Sequence, residues 1–359
     1  RLRSPSAEQP GNQVRQQHRI EVLCGDVASP CLGLDDKSYH ELASKVTHII
    51  HTAADLRLNA PIDELRKTNV QGTANVLAFA RAVQREHGLA RLAHVSTAYV
   101  AGGRRGEVAE SALSDGFGFS STYEQSKYEG ECLLAAAKSA LPISVFRPGM
   151  IVGEANTGEV KSFNTIYFPL RLYLTGSLPL LPAAPDLRVN IVPVDYVVDA
   201  ITRLTFAPEA AGLNFHLVAP HDALPKAGEL IEQVRQWARL HLNLHLPRPL
   251  FIPLPQALTR GRYRPAHPTN DRTAALQAKD LPSSFTENAA AVHQNPAQKK
   301  QGVLGDLLAL TPYLNEQIVF RRDNVDRLLG PYDFTWRAIL PHLLAYAVYM
   351  GFMHRSERT

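Results

Sequence analysis

Between residues 46 and 150, short apolar runs alternate with longer stretches of helical periodicity, and this alternation leaves few folds open. Val46 to Ala54 is apolar enough for a parallel strand covered on both faces. From about Ile62 to Glu86 the positions Val70, Ala74, Leu77, Ala80 and Val83 recur three and four apart, the period of a helix. Leu92 to Val100 reads as the next strand and Thr122 to Ser139 as the next helix. Ile143 to Phe146 is a further strand that runs into Arg147-Pro148-Gly149. Residues 19–27 read as a short strand, and Val189 to Leu204 as a strand turning into a helix. The pattern predicts an α/β fold: a Rossmann-like doubly wound parallel sheet.

The rest of the chain divides by composition. Residues 1–257 are expected to form the main domain. Residues 258–302 are polar, rich in Pro, Asn, Gln and Lys, and read as a linker or long loop. Residues 303–359 regain apolar periodicity and are expected to form a small C-terminal helical appendage. A net charge of +4 over 359 residues does not point to nucleic acid; it suits an acidic ligand or an acidic carrier. Cys24, Cys31 and Cys132 have no metal spacing and read as reduced thiols of a cytoplasmic protein. No signal peptide opens the chain, and it starts on arginine rather than methionine, as a fragment would. The apolar run Ile339 to Met353 contains Pro341 and His342. As a helix it would reach about 22 Å against a bilayer core of about 30 Å. It reads as a packed helix, with peripheral membrane contact as the lesser alternative.

Histidines give no metal site. His48 and His51 are three apart on a strand and point to opposite faces. His241 and His245 are four apart, but no glutamate completes a metalloprotease motif. Arg260, Arg262 and Arg264 read as a solvated linker face, with phosphate or carrier docking as the alternative.

Chemistry concentrates in Tyr123-Glu124-Gln125-Ser126-Lys127. Residues four apart on a helix share a face. An ammonium held there favours tyrosinate and lowers the phenol from its usual pKa of about 10, which would suit it to proton transfer. Such a pair is weak by itself. Its neighbours strengthen it: Ser96 and Thr97 end the strand before it, with Thr97 26 residues ahead of Tyr123. A hydroxyl at the carboxyl end of a parallel strand faces the ligand crevice, where it could hold a carbonyl oxygen.

Gly25-Asp26-Val27, His51-Thr52-Ala53-Ala54, Asn69-Val70-Gln71-Gly72-Thr73, Val95-Ser96-Thr97, Tyr123 with Lys127, Arg147-Pro148-Gly149 and Val192 to Val197 together resemble the extended short-chain dehydrogenases/reductases. The resemblance covers roughly residues 18–220. Within that family the chain looks most like the thioester-reductase and fatty acyl-CoA reductase branch. The tail from Phe320 through Trp336 to Gly351 resembles the small helical domain that closes fatty acyl-CoA reductases.

The resemblance implies roles. Thr97, Tyr123 and Lys127, with Ser96 beside them, would be catalytic. Asp26 would bind the adenine amino group with Val27 beside the ring, although Asp26 also reads as a turn aspartate. Thr52, Ala53 and Ala54 would lie beneath the cofactor. Asn69 would tie strands or a water relay to Lys127. Pro148, Gly149 and Met150 would border the nicotinamide. Asp195 reads as a helix N-cap or local structural partner rather than a catalytic acid. NADPH is the implied cofactor, with NADH left open. The implied reaction is reduction of a fatty-acyl thioester, on coenzyme A or an acyl carrier protein, to the aldehyde and onward to the alcohol. The apolar stretch Phe163 to Pro182 would line the acyl pocket or pack as core. A dehydrogenase or epimerase acting on a nucleotide sugar or sterol-like alcohol, or an inactive fragment of a multidomain protein, are the alternatives.

One family feature is missing. No strand leads into a glycine-rich turn; Gly102, Gly103 and Gly106 instead follow the Thr97 strand into a polar loop. The pyrophosphate loop is therefore expected upstream of Arg1. The chain as given is expected to bind cofactor poorly and to leave a slot in its sheet.

Overall fold

A computed structural model describes residues 20–252 and 318–353, apart from Asn59 and Ser177. The linker at 258–302, with Arg260, Arg262 and Arg264, lies outside the described residues.

The central sheet contains β1 (His48–His51), β2 (Arg91–Val95), β4 (Ile143–Pro148) and β8 (Asn214–Leu217), in that order and all parallel. Its strands alternate sides with the period of two that a pleated backbone imposes. On one face Leu92, Ile143 and Val145 pack with Val76, Leu77, Phe79 and Leu134. On the other, Ala93, Phe146, Phe215 and Leu217 pack with Val197, Ala200 and Leu204. The first helical layer is α1 (Asp36–Ala43), α2 (Ile62–Arg66), α3 (Gly72–Glu86) and α4 (Thr122–Ala137); α6 (Val194–Phe206) covers the opposite face. Burial on both faces explains why β2 and β4 read as continuous apolar runs; β1, expected to be covered on both faces, leaves Ile50 48% exposed. The expected Rossmann-like parallel sheet is present.

Two expected strands differ. Residues 20–27 form no strand, and Ile20 and Val22 stand 74% and 88% exposed. A strand needs a neighbour for its backbone groups, and β1 pairs only with β2, so nothing among the described residues receives this segment. The strand predicted for Leu92–Val100 ends at Val95; Thr97 then caps a 3₁₀ turn over Ala98–Ala101, its hydroxyl accepting from the Tyr99 amide. Between α2 and α3, Lys67–Gln71 is a π-helical turn that periodicity did not reveal.

A separate apolar core gathers α5 (Tyr167–Leu174), α7 (Ala227–Leu242) and α9 (Trp336–Tyr349). Tyr167, Leu170, Leu174, Leu178 and Leu181, expected either to line an acyl pocket or to pack as core, are packed side chains of this core. Helix α9 is 14 residues long and contains Pro341. Among the described residues no helix is long and apolar enough to cross a membrane.

The tail is more than helices. Its strand β10 (Ile318–Phe320) pairs in parallel with β3 (Gly106–Val108), and α8 (Asp323–Leu329) follows. Glu110 joins this tail to the sheet: its carboxylate accepts from the His216 amide at 3.0 Å and the Asn324 amide at 2.6 Å. The Glu110 carbonyl accepts from Arg147 Nη1 at 3.0 Å. Arg147 also forms a buried ion pair with Glu131 at 2.6 Å, which fastens α4 to β4. Burying two charges is costly unless they are paired and hydrogen-bonded, and here the guanidinium has both a carboxylate and backbone carbonyls.

Candidate active site

Local chemistry fixes where α4 begins. Ser121 is its N-cap, accepting from the Glu124 amide at 3.2 Å, and the Glu124 carboxylate reaches back to the Ser120 amide at 2.8 Å. Ser121 thereby satisfies one amide that the first helical turn leaves free, and Glu124 ties down the residue before the cap. Thr122 adds a tie to the Ala60 carbonyl at 2.7 Å. Tyr123 is thereby set in the first turn and Lys127 one turn on.

Lys127 is 2% exposed, and its ammonium donates to the Val95 carbonyl at 2.8 Å. That carbonyl directly precedes Ser96 and Thr97, so the bond joins the helix to the hydroxyl-bearing strand end. Ser96 and Thr97 are buried, and Ser96 Oγ has no hydrogen-bond partner among the described residues. Burial pulls Lys127 down to about 8. Burial also pushes the Tyr123 phenol upward, with the Glu124 carboxylate adding to the rise. This corrects the expectation that Lys127 lowers it: desolvation of the phenolate sets the direction of the shift. The resting phenol is therefore protonated at neutral pH.

Asn69 sits in the π turn, a common device at functional sites. Its amide accepts from the Asp55 amide at 2.8 Å and donates to the Asp55 carbonyl at 3.0 Å and to Ser126 Oγ at 2.8 Å. It therefore ties the chain beyond β1 to α4, one residue from Lys127. Gly130 permits this closeness; a Cβ there would lie 2.7 Å from the Asn69 carbonyl oxygen.

The expected adenine side is arranged differently. Thr52 and Ala53 are exposed and Ala54 is half-buried at the end of β1. The carboxylate of Asp26 accepts from the Ala28 amide and the Ser29 hydroxyl, both at 2.9 Å, and so caps its own turn. Val27 lies against Gly72, and its carbonyl accepts from Asn75. Pro148 and Gly149 are buried at the end of β4, and Met150 opens β5 (Met150–Val152). Asp195, in the first turn of α6, accepts from the Ala155 amide.

A nicotinamide cofactor fits one half of this crevice. The Lys127 ammonium has one acceptor among the described residues, which leaves donors for sugar hydroxyls. The Ser96 hydroxyl is buried and has no hydrogen-bond partner among the described residues. On the other half, among the described residues, no glycine-rich strand-to-helix turn offers amides to a pyrophosphate.

Sequence reasoning passed over several neighbours. His94 stands beside His51 on the adjacent strand, rings 5.0 Å apart, and both are buried. Burial and the charge of Lys127 lower both histidines, His51 to about 4. His48 instead meets Phe206 of α6 at 4.7 Å. His241 stacks on Trp237. Among the described residues no group of three or more potential ligands could hold a metal.

A family model described as male sterility protein, an NAD-binding domain, matches residues 1–201. A nonribosomal peptide synthetase of Aspergillus flavus is 30% identical over 212 residues, 56% of this chain and 20% of that protein. The L-2-aminoadipate reductase large subunit of Eremothecium gossypii is 31% identical over 222 residues, 58% of this chain and 16% of that protein. The chain spans less than a third of the length of the curated relatives it matches. Among solved structures, the terminal R domain from the myxalamid PKS-NRPS pathway superposes with a TM-score of 0.70 at 23% identity, over 96% of this chain and 78% of that one. That likeness establishes the fold. The chain belongs to the NAD-binding male sterility protein family, a branch of the extended short-chain dehydrogenases/reductases.

Proposed function

We propose that this chain is the reductase part of an NAD(P)H-dependent oxidoreductase, and that it reduces a thioester-bound acyl or peptidyl group to an aldehyde. The observation that carries the reading is the bond from Lys127 to the Val95 carbonyl, which sets the Tyr123 helix against the Ser96–Thr97 strand end. Relatives named as peptide synthetases and aminoadipate reductases support a thioester held on a carrier protein; acyl-CoA is the alternative carrier. NADPH is the donor that the family resemblance favours.

A bound nicotinamide supplies the hydride to the thioester carbonyl carbon. Thr97 and Tyr123 hold the carbonyl oxygen, and Ser96 stands beside them. Tyr123, protonated at rest, gives its proton to that oxygen as negative charge develops. Lys127 stabilises the phenolate left behind and holds the sugar next to the nicotinamide. The hemithioacetal then expels its sulfur: the C–S bond breaks, the hydroxyl proton is lost, and aldehyde and thiol separate. A second hydride on the aldehyde would give the alcohol. Asn69 keeps Ser126 and the Lys127 turn in place. Asp26, Val27, Thr52, Ala53 and Ala54 would contact the adenosine half, and Pro148, Gly149 and Met150 the nicotinamide edge.

The test is consumption of NADPH by the full-length protein with a carrier-bound acyl thioester, beside its Tyr123→Phe variant. Removal of a general acid is expected to slow turnover by about 10²–10⁴-fold. No thioester-dependent oxidation in the wild type would sink the proposal.

A further inference from the structure

The turn that Thr97 caps rests on the C-terminal tail. Ile318 and Phe320 are two apart on β10, so their side chains share one face, and both pack with Ala98 and Ala101 of the 3₁₀ turn. Val319 between them is half-buried. The alanines let the turn lie close on the strand, and Ala98 is fully buried there. The strand is itself held in place. The Arg321 amide donates to the Val108 carbonyl at 2.9 Å. Nδ1 of His216, on the central sheet, donates to the Arg321 carbonyl at 2.8 Å, and its ring lies 5.1 Å from that of Phe320.

Within the turn, Tyr99 is where three other elements meet. Its ring stands edge-on to Phe320, with centroids 6.4 Å apart and planes at 89°, a favoured aromatic geometry. The same ring packs against Leu58, from the chain beyond β1, and against Met150, the first residue of β5. The Tyr99 amide donates to the Thr97 hydroxyl oxygen at 3.3 Å. A hydroxyl that accepts through a lone pair keeps its own proton to donate elsewhere. The placing of the Tyr99 peptide therefore sets the direction in which Thr97 can give a hydrogen bond. Leu58 carries the connection on to the tyrosine: its carbonyl accepts from Thr122 Oγ1 at 3.2 Å and from the Tyr123 amide at 3.4 Å. Thr97 and Tyr123 are thus registered against each other through Tyr99, and Phe320 is the tail's share in holding that ring.

A donor aimed at a developing oxyanion works best when its direction is fixed beforehand, and a misplacement of about 1 Å costs on the order of 10²-fold. We propose that Phe320 is a positioning residue for the reduction: acting through Tyr99, it fixes the Thr97 hydroxyl toward the thioester carbonyl. This rests on the thioester-reductase reading above. It makes β10 a working part of the site, although the strand lies more than two hundred residues from Thr97 along the chain.

The test is a double-mutant cycle between Phe320 and Thr97 in the full-length protein, read by NADPH oxidation with an octanoyl thioester on the carrier protein. Phe320→Ala is expected to lower kcat about tenfold with KM unchanged, the pattern of an interaction made in the transition state. In a Thr97→Val background the same change should cost less than about twofold, because the hydroxyl that Phe320 aims is already gone. Plain loss of folded protein would cost the same factor in both backgrounds. Phe320→Leu fills the core without the ring edge. It should show a smaller loss with the same dependence on Thr97, and it carries the cycle if Phe320→Ala does not fold. Val325→Ala loosens the same tail from another core and should leave kcat unchanged. A second readout needs no turnover: the γ-methyl resonance of isotopically labelled Thr97 should move in the Phe320 variants and stay in Val325→Ala. Equal losses in both backgrounds, or a Thr97 resonance that does not move, overturn the proposal. A moved resonance in a protein that oxidises no NADPH keeps the brace and rejects the reduction.

Discussion

The two halves of the crevice are built to different standards. Around Lys127 the residues are buried and tied: Asn69 and Ser126 to each other, Lys127 to Val95, Arg147 to Glu131. Around Thr52 and Asp26 the chain is open: among the described residues β1 has one neighbour, and Ile50 is 48% exposed within it. The difference teaches that the groups proposed to handle the proton owe their geometry to packing inside this chain, whereas the proposed adenine side rests on local turns and on the contacts of Val27 and Ser29 with Gly72 and Asn75. If that is right, substitutions on the first half should cost stability and those on the second should not.

The largest effect is expected from Arg147→Met, which leaves Glu131 buried without its cation. Breaking one partner of a buried pair costs about 3–5 kcal/mol. Urea unfolding followed by tryptophan fluorescence should show a large fall in midpoint; an unchanged midpoint would show that the pair adds nothing to the half around Lys127. Acid should act on the same half. His51 is held neutral to about pH 4 by burial and by Lys127, while the unfolded chain protonates it near 6.5. Between those values the unfolded state binds the extra proton, so stability is full above about pH 6.5 and falls as the pH drops toward 4. The loss owed to His51 alone is on the order of 3 kcal/mol, and His51→Leu should remove that share of the slope and leave the share of the buried His94 and His216. A third probe is Gly130→Ala. Its new Cβ would stand 2.7 Å from the Asn69 carbonyl oxygen, and overpacking of this kind costs about 1–3 kcal/mol. Unfolding and amide exchange at Ser126 should both report it.

How much of this could be read in the sequence depended on distance along the chain. The helix over Ile62–Glu86 was legible because periodicity is a local signal, and the helix expected from Thr122 is α4. The π turn was not, since one widened turn hardly disturbs the period. The strand expected at 19–27 had the right composition, but among the described residues nothing pairs with it. The β3–β10 pairing joins Glu107 to Val319, and nothing local marks either as a strand. Tyr123 and Lys127 were recognisable by spacing, but the sign of the tyrosine shift depends on burial, which spacing does not encode. Arg147, flagged only as part of a turn motif, and Phe320, flagged only as part of the tail, became informative once their partners could be seen.

The smallest effect is the sharpest test of the contrast. Ile50 lies in β1, yet it is half exposed, so little apolar area leaves water there when this chain folds. Ile50→Thr keeps a β-branched side chain and should change the stability of the 359-residue chain by no more than about 0.5 kcal/mol. Urea midpoints of the two proteins should therefore coincide. The same substitution in a full-length protein whose β1 edge is covered would remove buried methylene surface, at about 0.8 kcal/mol for each such group. A fall in midpoint of the 359-residue chain itself would mean that the edge is already covered there, and that the two halves are more alike than their exposures indicate.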